Sequence, residues 1–201
     1  MDIYKIEKDL REAGYRNILG TDEAGRGPMA GPLVAAAVIL PEGLVIEGLN
    51  DSKKLTAKKR DELFAVIMKE AVEVQTEVIS VEEVDRINVL EASKKAMTSC
   101  IRKMRTKVDY VIADAVKLDL EVPSAGIIKG DQKAAAIAAA SIIAKVTRDR
   151  LMLEYDKLFP EYGFRKHKGY VTKYHVAMLE KFGPCPLHRK SFAPVRRFYE
   201  E

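Results

Sequence analysis

The sequence predicts a mixed α/β fold, a β-sheet flanked by helices with a small helical C-terminal subdomain. Three observations carry this. Residues 33–40 form an unbroken apolar run, Leu-Val-Ala-Ala-Ala-Val-Ile-Leu, closed by Pro41, as expected of a strand buried on both faces. Residues 72–80 alternate, with Val72, Val74, Thr76, Val78 and Ser80 on one parity, which suits a half-buried strand. Beyond them, short apolar strands alternate with long helical stretches, and strands first in succession and then interleaved with helices imply a mixed sheet.

The elements follow in order. Residues 2–13 predict a short charged helix with Ile3, Ile6 and Leu10 on one face. Residues 17–22 predict a brief strand running into Ala24-Gly25-Arg26-Gly27-Pro28. Thr56 opens a helix to about Glu70 carrying Leu63, Phe64, Val66 and Ile67. A helix is expected from Ser80 to about Arg105, with Ser80-Val81-Glu82-Glu83 as a cap-like entry. Short strands are expected at 110–113, ending at Asp114, and at 127–128, ending in Lys129-Gly130-Asp131. Residues 132–158 predict one long Ala-rich helix, or two with a slight break, stopped by Pro160, and a last helix is expected near 171–181. The division expected is a catalytic unit over 1–158 and a basic helical extension over 159–201.

With 47% hydrophobic and 32% charged residues in 201, the chain is an ordinary globular protein in composition. It has no apolar stretch long enough to span a bilayer, and its opening residues lack the apolar core of a secretory signal. Its two cysteines, Cys100 and Cys185, suggest no disulfide framework; Cys100 is expected in the core. A cytoplasmic protein is the expectation. The net charge of +4 is unevenly spread: residues 150–201 hold 11 Lys/Arg against 6 Asp/Glu, and residues 1–149 hold 23 against 24. A solvated face accounts for such a skew as well as phosphate contact does. The same two readings apply to Lys53, Lys54, Lys58, Lys59 and Arg60.

Asp22, Asp114 and Asp131 each follow a short apolar stretch, and strand ends are where open α/β sheets bind ligands. Glu23 adds a fourth carboxylate. Singly, Asp114 could begin a turn and Asp131 could cap a helix. Together they repel unless a divalent cation offsets the repulsion, and all-oxygen donors suit Mg²⁺ or Mn²⁺ rather than zinc. His167, His175 and His188 lack zinc-ligand spacing. Because successive strand residues face opposite sides, either the strand ends at Asp22 or Glu23 contributes through its carbonyl. Asp149 lies roughly 27 Å from Asp131 along a continuous helix, so it is expected to pair with Arg148 or Arg150.

These blocks resemble the ribonuclease HII family. The likeness runs through Asp22-Glu23-Ala24-Gly25-Arg26-Gly27-Pro28 and Ala30-Gly31-Pro32, then Asp51-Ser52-Lys53-Lys54-Leu55, Asp114-Ala115 and Lys129-Gly130-Asp131. It continues over residues 138–146 with Arg148-Asp149, and returns in His167-Lys168-Gly169-Tyr170 and His188-Arg189-Lys190-Ser191-Phe192. The resemblance implies a ribonuclease H-like fold and a metal-dependent endonuclease using Mn²⁺ or Mg²⁺. It would cleave the RNA strand of RNA–DNA hybrids and cut 5′ to single ribonucleotides in duplex DNA, leaving 3′-hydroxyl and 5′-phosphate ends. Asp22, Glu23, Asp114 and Asp131 match the family's catalytic, metal-binding set. Gly25, Arg26 and Gly27 match its ribose-sensing loop, and Tyr170 the tyrosine under the sugar at the RNA–DNA junction. Lys53, Ser141, Lys145 and Lys168 join the expected substrate contacts. The expected partners are nucleic acid alone, with no membrane, for a chain acting as a monomer. On residues alone, two rivals stay open: a non-catalytic nucleic-acid-binding module, and another ribonuclease H-like enzyme such as a type 1 ribonuclease H, an integrase or a resolvase.

Overall fold

The protein's structure, a computed structural model, describes residues 2–200. Its centre is a five-stranded sheet of order β3-β2-β1-β4-β5, built from β1 (Ile18–Ala24), β2 (Leu33–Ile39), β3 (Glu73–Ile79), β4 (Tyr110–Asp114) and β5 (Ser124–Ile127). β1, β2 and β3 pair antiparallel; β4 lies parallel to β1, and β5 parallel to β4. The mixed sheet matches the expectation, and the reason is visible in β2. Every residue of β2 is buried: Leu33, Ala35, Ala37 and Ile39 enter one core cluster, Ala36 and Val38 the other.

Helices cover both faces. α3 (Val81–Ile87) and α4 (Val89–Arg102) close one side, with Val84, Ala92, Ala96, Met97 and Cys100 packed on the sheet. On the other side lie α2 (Ala57–Glu70) and the long α5 (Ala135–Leu158). Thr56 caps α2 as expected, its hydroxyl accepting from Lys59 N–H. α5 crosses β1 with almost no gap: a Cβ on Gly20 would stand 2.2 Å from the Ala136 carbonyl carbon. The first turn of α5 lacks a cap from its own N-cap residue, Ala134. Glu7, buried on α1 (Lys5–Glu12), supplies one instead, accepting from Ala136 N–H at 2.7 Å.

Four expectations need correction. The helix expected over 80–105 is two helices, because Asn88 takes φ +67° and its side chain caps α4 through Leu90 and Glu91 N–H. β3 does not bury one clean parity. Val72 and Val78 are half exposed and Ile79 is buried, since an edge strand is only partly covered. The strand expected at 127–128 is β5, ending at Ile127; Ile128 is exposed and Lys129 turns left-handed at φ +57°. Asp131 therefore sits in a 3-10 turn, Gly130–Gln132, rather than directly at a strand end.

Residues 159–200 contain α6 (Phe164–His167), α7 (Lys173–Phe182) and α8 (Ala193–Arg196). They fold back on the segment after β1: Met29 N–H donates to Gly169 O, Gly31 N–H to Leu187 O, and Ala30 bridges His188. Among the described residues no helix is long and apolar enough to cross a membrane.

Candidate active site

The register of β1 on β4 places the first two carboxylates. Thr21 lies opposite Ala113, so Asp22 stands level with Asp114, the last residue of β4. Parity puts both on the α5 face, because Ile112 packs there and Ala113 on the other side. Asp22 is buried and accepts from Glu23 N–H at 2.7 Å; the Ser141 hydroxyl of α5, 2.7 Å from the Ser52 hydroxyl, lines the same cleft. Burial first, then the charges of Glu23 and Asp114, hold its carboxyl well above the usual range.

Glu23 resolves differently from either expected option. The strand does not end at Asp22 but runs to Ala24, and the Glu23 side chain is still at the site, because β4 has stopped and leaves that flank open. One carboxylate oxygen meets Arg26 at 3.4 Å; the other is buried and has no partner among the described residues. Burial chiefly raises its pKa, opposed by Arg26 and aided by Asp114. Asp114 accepts from Gly130 N–H at 2.7 Å, which draws the Asp131 turn toward it. Burial, then Asp51 and Asp114, push the Asp131 carboxyl to about 6. Lys53 lies 3.8 Å from Asp131. Desolvation works against its ammonium, but Asp131, Asp22, Asp51 and Asp114 outweigh that and raise its pKa.

A cleft of about 200 Å³ holds Asp22, Glu23, Gly25, Arg26, Gly27, Lys53, Ser141, Lys145 and Tyr170 together. Asp114 and Asp131 are outside its lining but close enough for their charges to act on it. Lys168 stands apart, lining a neighbouring groove with Lys145 and Tyr170 while its ammonium reaches the Arg165 carbonyl. Among the described residues no three metal-type side chains are gathered at ligand spacing. The donor set nevertheless fits a hard divalent ion: it is all oxygen, it is crowded with like charge, and one buried Glu23 oxygen lacks a partner among the described residues.

The loop after β1 lies against Tyr170, whose ring carbon would be 3.5 Å from a Cβ on Gly27. Gly25 needs its glycine, with φ +105° and Arg148 Nε 2.5 Å from where a Cβ would sit. The N–H groups of Arg26 and Gly27 have no hydrogen-bond acceptor among the described residues.

Some neighbours were not expected. Asp149 pairs with Lys145 at 2.7 Å, not with Arg148 or Arg150, because Arg148 points inward and Arg150 meets Asp61. Arg148 and Arg189 are fully buried on main-chain oxygens, and burial lowers their pKa to about 10 and about 9. Asp51, which the family likeness includes but to which no role was expected to fall, is buried beside Asp131. The three histidines meet despite their spacing, His175 Nε2 lying 3.1 Å from His188 Nε2, and His188 Nδ1 accepting from Cys185 N–H. His167 joins them by stacking on His175, ring centroids 4.2 Å apart, with its own nitrogens on Tyr162 O and Gly169 N–H.

The family model described as Ribonuclease HII matches residues 19–195. A Ribonuclease HII of Bacillus licheniformis is 53% identical over 191 residues, covering 95% of this chain and 75% of that protein. A Ribonuclease HII of Acholeplasma laidlawii is 48% identical over 202 residues, covering 100% of this chain and 99% of that protein. Among solved structures, the ribonuclease H2 of Pyrococcus horikoshii OT3 superposes with a TM-score of 0.78 at 26% identity, over 92% of this chain and 100% of that one.

Proposed function

Because the chain belongs to the ribonuclease HII family and is thereby a ribonuclease H-type endonuclease, we propose that it cuts the RNA strand of RNA–DNA hybrids and the strand 5′ to a single ribonucleotide in duplex DNA. The observation that carries this is the level placement of Asp22 and Asp114 on one face, beside a glycine loop that rests on Tyr170. Asp22, Glu23, Asp114 and Asp131 are the residues that would hold divalent ions, Mn²⁺ or Mg²⁺. Such ions, when bound, supply an activated water and charge to steady the leaving oxygen.

The chain's own groups do the rest. The carboxylates orient by fixed hydrogen bonds: Asp22 on Glu23 N–H, Asp114 on Gly130 N–H. Lys53 brings positive charge to an acidic pocket that would otherwise repel phosphate. In the cut, water oxygen joins the phosphorus and the bond to the upstream 3′-oxygen breaks. That oxygen takes a proton, leaving a 3′-hydroxyl and a 5′-phosphate on the ribonucleotide. The free N–H groups of Arg26 and Gly27 suit the ribose 2′-hydroxyl, the group that separates RNA from DNA. Tyr170, partly exposed and 5.8 Å from Lys145 Nζ, offers a face for the sugar at the junction. Residues 159–201 act as a basic extension that contributes Tyr170 and Lys168 to the substrate, on a catalytic unit over 1–158. The partners are nucleic acid only, for a monomer working in the cytoplasm.

A labelled duplex with one ribonucleotide, incubated with and without Mn²⁺, tests the reading. Metal-dependent cleavage 5′ to the ribonucleotide is expected; binding without cleavage would favour a non-catalytic module, and cleavage of an all-DNA junction a resolvase-like enzyme. Tyr170→Ala is expected to lower cleavage at the single ribonucleotide by about tenfold, more than on a long hybrid. Equal losses on both would remove its junction role.

A further inference from the structure

The Gly25–Gly27 loop and the turn carrying Tyr170 lie far apart in the chain, and one side chain stands between them. Arg148 projects from the middle of α5 and is fully buried. Among the described residues it forms no ion pair, and Asp149 beside it is taken by Lys145. Its guanidinium meets main-chain oxygens instead. Nε donates to Pro32 O at 2.9 Å and Nη2 to Ala30 O at 3.0 Å, both in the segment after β1, while Nη1 donates to Lys168 O at 2.9 Å in the Tyr170 turn. The two segments also touch directly: Met29 and Ala30 N–H both donate to Gly169 O, and a Cβ on Gly169 would stand 2.2 Å from Ala30 O.

A buried cation without a counter-charge is a poor source of stability. What a guanidinium offers that an apolar side chain does not is a rigid planar fork, which sets the angle between the carbonyls it binds. Arg189 makes an instructive contrast. It is also buried, but its guanidinium donates to Gly25, Arg26 and Gly31 oxygens, all in the segment after β1 and none on the Tyr170 turn. Arg189 holds the loop's own carbonyls; Arg148, packed against Gly25, joins the Ala30–Pro32 stretch that continues the loop to the turn.

We propose that Arg148 is a positioning residue that locks the ribose-facing loop and the Tyr170 turn in one register, so that the two substrate contacts act as a unit; this rests on the reading of those contacts given under Proposed function. The test compares Arg148→Lys, Tyr170→Ala, Arg189→Lys and the two double variants that contain Tyr170→Ala, measuring kcat/KM on a single-ribonucleotide duplex and on a continuous hybrid. Lysine keeps the charge but presents a point donor. Arg148→Lys is expected to lower the preference for the single ribonucleotide by on the order of tenfold, the scale of coupling within a shared network. With Tyr170→Ala already present, it should lower the preference no further, whereas the losses of Arg189→Lys and Tyr170→Ala multiply. Multiplying losses for Arg148→Lys and Tyr170→Ala would overturn the proposal.

If Tyr170→Ala leaves the preference unchanged, the junction reading fails and hydrogen exchange decides on Arg148. The Met29, Ala30 and Tyr170 amides should then exchange faster together in Arg148→Lys; a rise in one segment alone, or in neither, overturns the coupling. Should Arg148→Lys not fold, Gly169→Ala parts the same segments from the other side. It must reproduce the shift in preference, and an unchanged preference there refutes the proposal equally.

Discussion

Asp22 and Asp114 occupy neighbouring parallel strands, about 4.8 Å apart in strand spacing, and both are aimed at the face that α5 covers. Two carboxylates so placed repel, and burial deprives Asp22 of the water that would relieve it. As the ligands proposed above, they are not replaceable by amides. Asp22→Asn and Asp114→Asn are each expected to lower cleavage by more than about 100-fold, beyond the loss typical of outer-shell partners, while duplex binding by fluorescence anisotropy stays within a few-fold. Near-normal turnover in both variants would sink the mechanism. Asp131 carries a pH signature. Its pKa stands at about 6 against an ordinary 3.8, so between those values the folded chain holds the proton and the unfolded chain does not. Its contribution is fully present below about 4 and is lost as pH rises through about 6. Without divalent ions, the Tm advantage of the native protein over Asp131→Asn should therefore shrink from acid to neutral pH, read by calorimetry. An advantage that grows with pH would contradict the placement of Asp51 and Asp114 beside it.

At the scale of elements, the site depends on α5 lying almost in contact with β1. Gly20 permits that approach, and two residues along the same face Asp22 shares a cleft with Ser141, about one helical turn beyond Ala136 and Ile137. Gly20→Ala would drive a methyl into the helix backbone. It is expected to cost about 3 kcal/mol or more, the upper range for overpacking, measured by denaturant unfolding, with a loss of cleavage as Ser141 shifts from Asp22. A stability change within error would mean the helix does not sit where it is described. The elements themselves were largely readable. Thr56 announced α2, and the apolar run announced β2, because capping and burial are local signals. The break at Asn88 was not, since a left-handed residue inside an amphipathic pattern leaves the periodicity almost intact.

For the whole molecule, charge distribution bears on substrate binding. Within the basic stretch after β2, Arg60 is committed to the Ser52 and Leu55 carbonyls and Lys59 to Glu62. Lys54 and Lys58 are exposed. Replacing both with Gln should weaken duplex binding and flatten the slope of log affinity against log salt by up to about 2, close to one for each phosphate no longer neutralised. An unchanged slope would assign that stretch to a solvated face. The C-terminal residues are more than a charged appendage, because Gly169, Leu187 and Arg189 are hydrogen-bonded into the segment after β1.

The sequence by itself determined the mixed sheet, most helix limits, and the residues on which the active-site reading rests, because periodicity, caps and ordered motif blocks are properties of the chain. Tertiary structure decided which of those residues face each other. Asp22 and Asp114 are level only through the β1–β4 register, Glu23 reaches the site only because β4 ends, and Asp131 comes near through a turn held by Gly130 N–H. The inward turn of Arg148 was equally hidden, for a charged residue beside Asp149 reads as half of a surface pair until the carbonyls of two distant segments are seen to surround it. Such partners are chosen by packing and by the need to satisfy buried polar groups, and neither leaves a mark at fixed spacing along the chain.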